Sequence, residues 1–265
     1  GNRKRILEII KFLKQKNYFI DFFYYPRECG YDYEPDLYHQ HLKVVDRFQV
    51  IPPKHIRSNS PSYEKFYIDE WWDDGIESYL DWVSWSNHYD AFLVNYVFFS
   101  KALEKFPSNT VKILDTHDKM AGRKELLLAH GMEPEFFYTT IKEEKQGLDR
   151  ADLILAITDR EAKYFQGITK KKVITLGYAD FFSSGKEFKV QNREKDSVIR
   201  FGYFASENGI NQKCLYLLVE AIKNRGFFDG YQLIIAGLIS NYAENLDYGG
   251  INVKILGKVS SPSSF

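Results

Sequence analysis

Apolar, strand-like runs alternate with helical patterns along almost the whole chain, and this alternation most constrains the fold. The segment ADLILAIT at 151–158 is almost continuously apolar, which is typical of a strand buried on both faces of a parallel sheet. Ile6, Ile9, Ile10 and Leu13 recur at helical spacing. Strands that alternate with helices predict parallel sheets joined by right-handed crossovers, and therefore the α/β class.

The same patterns locate the individual elements. Strands are predicted at 18–25, 47–53, 89–98, 111–118, 151–158, 171–177, 198–205, 231–237 and 252–259. Helices are predicted at 3–16, 63–86 (either continuous or broken at Gly75), 139–150, 159–167 and 209–225, with a short helix between the strands at 89–98 and 111–118. Thr158 and Glu161 form a capping-box pattern where the helix at 159–167 begins.

The elements fall into two series, which predict two domains. The first domain spans 1–180, a mixed polar and aromatic linker spans 181–197, and a second series of strands and helices spans 198–265. The second series has about half the residues of an ordinary Rossmann-like domain, so we expect it to be incomplete. The chain opens directly on a helix, so we also expect a first strand to be missing ahead of it.

Composition excludes some classes of function. The 36 Lys and Arg residues balance the 36 Asp and Glu residues, so no overall positive field attracts nucleic acid, although a local basic patch stays open. Cys29 and Cys214 lie far apart and match no zinc or redox spacing, which favours free thiols in the reducing cytoplasm. No apolar run approaches the roughly 20 residues that span a bilayer.

Polar side chains follow the predicted strands directly. Asp115, His117 and Asp118 end the run VKILDTHD, while Asn95 and Tyr96 follow AFLV. Ligands of open parallel sheets bind at the carboxyl ends of strands, where His117 has the chemistry of a hydrogen-bonding group or a general acid or base. Asx turns, a helix cap at Asp118 and a metal site remain the alternatives.

Three cations crowd the start of the first helix, where the helix dipole disfavours them. Arg3, Lys4 and Arg5 follow a glycine in the segment GNRKR. A glycine loop at a helix N-terminus is also an anion site, so a phosphate ligand would reconcile the two observations. The alternative is a solvated basic face.

Several segments together resemble family 4 glycosyltransferases, which have the GT-B fold. GNRKRILEIIKFLKQ resembles the glycine loop and first helix of that family. Later blocks of its N-terminal domain resemble YDAFLVNYVFFSKAL, VKILDTHDKMAGR, GLDRADLILAITDREAKYF and KKVITLGYAD. The opening of its C-terminal, donor-binding domain resembles IRFGYFASENGINQKCLYLLVEAI, YQLIIAG and NVKILGKV. The resemblance implies two Rossmann-like parallel-sheet domains that face a cleft, the second incomplete.

The family transfers a sugar from a nucleotide-sugar to an acceptor, with retention at the anomeric carbon and usually without a metal. The resemblance therefore implies an enzyme that uses a nucleotide-sugar as co-substrate and needs no further cofactor. It implies a glycan, lipid-linked or protein acceptor, and a cytoplasmic location that extends to peripheral association with the inner face of the membrane. By position, the implied catalytic residues are His117 and Asp118, the donor-binding residues are Gly1, Asn2, Ser206, Asn208, Asn211 and Lys213, and the acceptor-binding residues are Asn95, Tyr96 and Arg123.

Two departures from the family keep other functions open. The second-domain loop YFASENGINQK offers only Lys213, where many members carry an Arg and a Lys for the diphosphate. The acidic motif that usually holds the ribose and donor sugar is expected beyond Phe265. A nucleotide-sugar epimerase or hydrolase on the same fold remains an alternative, as does a non-catalytic subunit that binds an active transferase.

All four tryptophans lie in one acidic, aromatic stretch at 67–85. At helical spacing such rings are most often core. Trp71, Trp82 and Trp85 also have the chemistry to stack on a sugar acceptor or to dock at a membrane, although anionic lipid would repel the acidic side chains. The tyrosine-rich segment at 24–41 is either an acceptor loop or a variable insertion.

Overall fold

The structure is a computed structural model that describes residues 2–26, 43–54, 61, 63–177, 198–226 and 229–259. The chain divides into two compact units, Gly1–Gly185 and Lys186–Phe265. The predicted linker at 181–197, Cys29 and most of the tyrosine-rich segment lie outside the described residues. Cys214 is a free, exposed thiol.

The first unit opens with a helix that packs on a parallel pair of strands. Helix α1 spans Asn2–Gln15, and strands β1 (Asp21–Tyr24) and β2 (Arg47–Val50) pair in parallel. Ile10 of α1 lies in one apolar cluster with Phe48 of β2. The helical spacing of isoleucines in the sequence therefore identified the buried face of α1 correctly.

A four-stranded parallel sheet forms the centre of the first unit. Its strands are β3 (Ala91–Asn95), β4 (Val111–Asp115), β5 (Leu153–Ala156) and β6 (Lys172–Thr175), in that order across the sheet. The connecting helices are α2 (Asp74–Ser86), a 3-10 helix (Val97–Lys105), α3 (Arg123–Ala129), α4 (Ile141–Leu148) and α5 (Asp159–Ile168). Their apolar side chains and those of the strands form one core.

Local capping explains where two of these helices begin. The Thr158–Glu161 capping box at the start of α5 is present, as predicted. The predicted helix at 63–86 is wrong in its first half, because α2 begins only at Asp74. Asp73 caps α2 with its side chain, which accepts a hydrogen bond from the amide of Gly75 at 2.7 Å. The residues before this cap form turns.

The four tryptophans divide between core and surface. Trp71 and Trp72 are buried, with 2% and 5% of their surfaces exposed, whereas Trp82 and Trp85 are 57% and 88% exposed. Core packing is therefore confirmed for Trp71 and wrong for Trp82 and Trp85. The buried ring of Trp71 packs edge-on against Phe98 and Phe137.

The second unit is a smaller parallel sheet. It contains β7 (Ile199–Phe204), α6 (Gly209–Arg225), β8 (Tyr231–Ala236), α7 (Ser240–Ala243) and β9 (Val253–Ile255), with strand order β7-β8-β9. Leu215, Val219 and Ile235 form its buried core. Parallel sheets in both units confirm the α/β class.

No described helix combines the length and the apolar character that crossing a bilayer requires. The bounds of α6 agree with the predicted helix at 209–225, whereas α3 and α7 were not predicted. Both missed helices are short, with seven and four residues, so neither produces two full turns of apolar periodicity.

Gly147→Ala should destabilise the protein, because a Cβ at Gly147 would lie 2.6 Å from Val97 Cγ2 and 2.9 Å from Ser100 Oγ. Both neighbours are buried, so the overpacking should cost about 1–3 kcal/mol of the free energy of unfolding. The matched control is Gly167→Ala, because both glycines are the second-to-last residue of a helix and a Cβ at Gly167 meets no atom within 4 Å. We expect that control to gain up to about 0.5 kcal/mol. Urea unfolding measures both, and equal effects would contradict the prediction.

Candidate functional site

The carboxyl ends of β3 and β4 bring the predicted polar residues side by side. Asn95, the last residue of β3, pairs in register with Asp115, the last residue of β4. The amide of Tyr96 donates to the carbonyl of Asp115 at 2.8 Å. The two strand ends therefore place Asn95, Tyr96, Asp115 and His117 at one edge of the sheet, where the ligands of parallel sheets bind.

The backbone of this edge is strained at two positions. Tyr96 and His117 have φ values of 70° and 60°, in the left-handed region that non-glycine residues rarely adopt. The turn around His117 is held by Thr116, whose amide and hydroxyl both donate to the carbonyl of Leu155, at 3.1 and 3.0 Å. Strain of this kind costs about 1–3 kcal/mol per residue and concentrates at functional sites.

The imidazole of His117 is buried and held on three sides. Its Nε2 lies 2.8 Å from Asn95 Oδ1 and 3.7 Å from Asp115 Oδ2, and its ring stacks on Tyr96 with 4.4 Å between ring centroids. Because an amide oxygen only accepts, Nε2 carries the proton of the neutral ring and donates it to Asn95. Nδ1 is then an acceptor, and it has no hydrogen-bond partner in the described part of the chain.

The carboxylate of Asp115 forms an ion pair with Arg5. The sequence pattern predicts a phosphate ligand or a solvated basic face for Arg5, and not this pair. Arg5 Nε and Nη2 donate to the two carboxylate oxygens of Asp115 at 2.8 and 3.0 Å, and Nη1 donates to the carbonyl of Leu176 at 2.5 Å. A solvated basic face and a phosphate ligand are both wrong for Arg5, because its guanidinium is buried against a carboxylate of the same chain. An Asx turn or helix cap is wrong for Asp115 for the same reason. Arg3 and Lys4 are exposed.

Metal binding was the other chemistry considered for this cluster. Asp115 already receives hydrogen bonds on both carboxylate oxygens. Within the described ranges, no three His, Cys, Asp or Glu side chains are grouped as the donors of a metal ion.

Burial lowers the pKa of His117 below its ordinary value. The Asp115 carboxylate raises this pKa in part, and the Arg5 guanidinium lowers it further. At neutral pH the imidazole is therefore uncharged. It offers a hydrogen-bond acceptor at Nδ1 rather than a positive charge.

Asp118 and Arg123 lie on the segment that connects β4 to α3. Asp118 is exposed and does not cap α3, because the residue before that helix is Gly122. Partial burial of its carboxylate raises the pKa of Asp118, and the charge of Arg123 lowers it in part. Arg123 is the first residue of α3, and its Cζ lies 5.8 Å from the centre of the Phe136 ring.

Sequence reasoning missed Glu144, a buried carboxylate on α4. Glu144 Oε1 accepts from the amide of Met120 at 2.6 Å, and Oε2 accepts from the Tyr164 hydroxyl at 2.8 Å. Burial raises the pKa of Glu144, while these donors lower it in part. Glu144 therefore anchors the segment that carries His117 and Asp118. In sequence it is indistinguishable from its neighbour Glu143, since both follow the helix cap Thr140.

The predicted donor residues of the second unit gather at the start of α6. Asn208 caps the helix by accepting from the amide of Asn211 at 2.8 Å, and Asn211 Nδ2 donates to the Ser206 carbonyl at 3.0 Å. The ammonium of Lys213 lies 5.5 Å from the ring centre of Tyr216 instead of in this cluster. Gly1 lies outside the described residues, and Asn2 is the first residue of α1.

Comparison with known proteins adds no family assignment. No protein-family model matches the chain, and no curated protein matches it either. The functional argument therefore depends on the geometry of the site and on the sequence resemblance.

Arg5→Met should leave Asp115 buried without its cation and cost about 3–5 kcal/mol of the free energy of unfolding. Lys145→Met is the matched control, because it also removes a cation from an ion pair, here a half-exposed one with Asp149 four residues later. We expect the control to cost about 0.3–0.5 kcal/mol. Urea unfolding at neutral pH measures both variants, and equal costs would refute a structural role for the buried pair.

The lowered pKa of His117 predicts a stability that depends on pH. Below about pH 6.5 the unfolded chain binds a proton at this residue that the native protein does not. The free energy of unfolding should therefore fall as the pH drops from that value to the lowered native pKa, with no such loss above it. His117→Gln should remove this part of the dependence, and His130→Gln, at an exposed histidine, should keep it. Urea unfolding across pH tests this, and an unchanged profile in His117→Gln would contradict it.

Proposed function

We propose that the chain belongs to a retaining glycosyltransferase of GT-B type, which transfers a sugar from a nucleotide-sugar to a glycan or glycoconjugate acceptor. The observation that carries the proposal is the buried His117 at the carboxyl edge of the sheet, with a strained backbone and an Nδ1 that has no hydrogen-bond partner among the described residues. A buried acceptor without a partner costs free energy, which a hydroxyl-bearing ligand would recover. The order of the segments that resemble family 4 supports the same function.

The protonation state and the hydrogen bonding of His117 suit a residue that positions a sugar. Its Nε2 is bound to Asn95, and its neutral ring leaves Nδ1 free to accept a hydrogen bond from a sugar hydroxyl. Because Tyr96 stacks on the ring and the residue is buried, a ligand reaches Nδ1 only after covering side chains move. We therefore expect Tyr96 to shift when the substrate binds.

The proposed reaction needs no protein nucleophile. The acceptor oxygen forms a bond to the anomeric carbon on the face from which the diphosphate departs, and the bond from that carbon to the phosphate oxygen breaks. The departing phosphate oxygen takes the proton of the acceptor hydroxyl. In this scheme the protein contributes orientation and charge stabilisation, and His117 acts through its hydrogen bond.

In this proposal the second unit binds the nucleotide-sugar donor. In the GT-B arrangement, which forms part of the proposal, two Rossmann-like domains face a cleft. Helix α6 has 17 residues, and the N-terminus of such a helix favours a phosphate. Lys213, in the second turn of α6, is the predicted cation for the diphosphate.

One observation favours a different function, a non-catalytic binding subunit. The backbone amide of Asn211 already donates to Asn208 Oδ1, and its side-chain amide donates to the Ser206 carbonyl, so fewer donors are free for a diphosphate. A nucleotide-sugar epimerase or hydrolase would share the fold and the histidine. Analysis of the reaction products distinguishes these enzymes, because only a transferase makes a new glycosidic bond to an added acceptor.

His117→Ala should weaken binding of a nucleotide-sugar by about tenfold or more, since one hydrogen bond in a buried site is lost. Binding of the matching bare nucleotide should change less than twofold, because the nucleotide does not reach His117. Calorimetric titration of a panel of nucleotides and nucleotide-sugars measures both, and His130→Ala is the control at an exposed histidine. If no nucleotide or nucleotide-sugar binds the wild-type protein, the transferase proposal fails and the binding-subunit alternative gains support.

A further inference from the structure

Two tryptophans on helix α2 are exposed side by side. Trp82 and Trp85 are three residues apart, so their rings share one face of the helix. The ring of Trp82 packs against Tyr79, with 5.8 Å between the ring centroids, whereas Trp85 is 88% exposed. A single exposed apolar side chain is ordinary on a protein surface. The importance of Trp85 therefore depends on what lies beside it.

A cavity of about 330 Å³ has Trp85 in its wall, and we call it the Trp85 cavity. It lies between the end of α2 and the residues that lead into β3 and β4, and its walls include Ser84, Asn87 and Thr110. Its volume is within the range of roughly 300–1,000 Å³ that small-molecule sites occupy. An aromatic ring beside a few polar groups is also the composition that such sites share.

The polar groups of the Trp85 cavity have already used their protons. Ser84 Oγ donates to the carbonyl of Asp81 at 3.1 Å. Thr110 Oγ1 donates to the carbonyl of Tyr89 at 2.9 Å. The side-chain amide of Asn87 donates to a main-chain carbonyl of α2 at 3.2 Å and to a serine hydroxyl at 3.1 Å. These groups therefore offer a ligand the lone pairs of their oxygens, and a ligand with several hydroxyl groups supplies the matching donors.

The charges around the Trp85 cavity favour an uncharged ligand. No described Lys, Arg, Asp or Glu residue lines it. Arg47, whose guanidinium approaches the asparagine of the cavity at 3.5 Å, is paired with Asp21 at 2.8 Å. Lys105 is paired with two carboxylates of α2, at 2.5 and 3.2 Å. Beside the lining residue His88, the carboxylate of Asp90 lies 3.9 Å from Nε2 and is 98% exposed, so it would repel an anion.

The Trp85 cavity is separate from the candidate site at His117. Thr110 directly precedes β4, and Asp115 is the last residue of that strand. These two residues are about 17 Å apart, at roughly 3.3 Å per strand residue. The cavity therefore lies at the amino edge of the sheet and His117 at the carboxyl edge, and one sugar ring does not reach both.

We propose that the Trp85 cavity binds an uncharged saccharide, with one face of a sugar ring on Trp85 and its hydroxyl groups donating to Ser84 and Thr110. A pyranose ring carries C–H groups on its faces and hydroxyl groups around its edge. It therefore requires a flat aromatic surface with hydrogen-bond acceptors beside it, and the cavity presents both. The inference concerns a second binding site and holds whether or not the chain is a transferase.

Titration of the full chain with tetrasaccharides tests the proposal. The uncharged probes are maltotetraose, cellotetraose and the tetramer of N-acetylglucosamine, and tetragalacturonate is the anionic counterpart. Calorimetry and tryptophan fluorescence follow the binding. We expect at least one uncharged probe to bind. Tetragalacturonate should bind about tenfold or more weakly, because Asp90 repels its carboxylates.

Matched variants locate the binding. Trp85→Ala should weaken it about tenfold or more, because a large apolar contact is lost. Tyr63→Ala, at a tyrosine that is 69% exposed outside the cavity, should leave it unchanged. Ser84→Ala should weaken binding about twofold to tenfold through the loss of one hydrogen bond. Ser78→Ala should have no effect, although the Ser78 hydroxyl also donates to a carbonyl of α2. Circular dichroism establishes that each variant is folded.

Several results would overturn the inference. Binding of none of the uncharged probes would refute it, and equal affinity for tetragalacturonate would refute the preference for neutral ligands. Retained binding in Trp85→Ala, or binding lost in His117→Ala, would place the saccharide outside the Trp85 cavity. A fluorescence change with phosphatidylcholine vesicles and with no saccharide would assign the ring to a membrane surface instead.

The outcome is separable from the proposed function. Trp85→Ala should bind nucleotide-sugar as the wild-type protein does, because the two sites lie at opposite edges of the sheet. Nucleotide-sugar binding without any tetrasaccharide binding refutes only the saccharide site. Tetrasaccharide binding that depends on Trp85, without nucleotide or nucleotide-sugar binding, refutes only the transferase.

Discussion

The buried ion pair between Arg5 and Asp115 is the interaction on which the candidate site depends. It joins the first turn of α1 to the end of β4, and the third hydrogen bond of the guanidinium reaches Leu176 beyond β6. Strand β5 lies between β4 and β6 in the sheet, so one side chain connects strand ends on both sides of it. Because an isolated charge in this position would be strongly destabilising, the pair forces α1 and the carboxyl edge of the sheet to keep one relative position.

That fixed edge allows His117 to be held in a conformation that its backbone disfavours. Asp115 sets the end of β4, and the Thr116 hydroxyl and amide fasten the next residue to Leu155. Beyond His117, Glu144 binds the amide of Met120. With anchors on both sides, the intervening turn has little freedom, and the left-handed φ of His117 is imposed by its surroundings. The imidazole is thus positioned before any ligand arrives, which is the condition for efficient orientation of a substrate.

Sequence reasoning succeeded where the determinants are local. Alternating apolar runs located the strands, and the Thr158–Glu161 capping box located the start of α5. It failed where the interacting residues lie far apart in sequence, and where neighbouring residues of the same type cannot be told apart. Arg5 and Asp115 are 110 residues apart in sequence, so their pairing left no local signal and each was interpreted by its own neighbourhood. Glu143 and Glu144 look alike, and only the packing of α4 decides that Glu144 is the buried one. Trp82 and Trp85 have the spacing of core residues, but the face of α2 that carries them is exposed.

The electrostatics of the site favour binding over proton transfer. The carboxylate of Asp115 is paired with Arg5. Asp115 therefore does not hold a protonated imidazole in the way that the carboxylate of a catalytic triad does. Burial then keeps His117 neutral, and Nδ1, which has no partner in the described part of the chain, is an acceptor. A neutral acceptor distinguishes ligands by where they carry a hydroxyl group. Such a site contributes selectivity and alignment, and it leaves the proton of the reaction to be moved by the substrates themselves, as the proposed transfer requires.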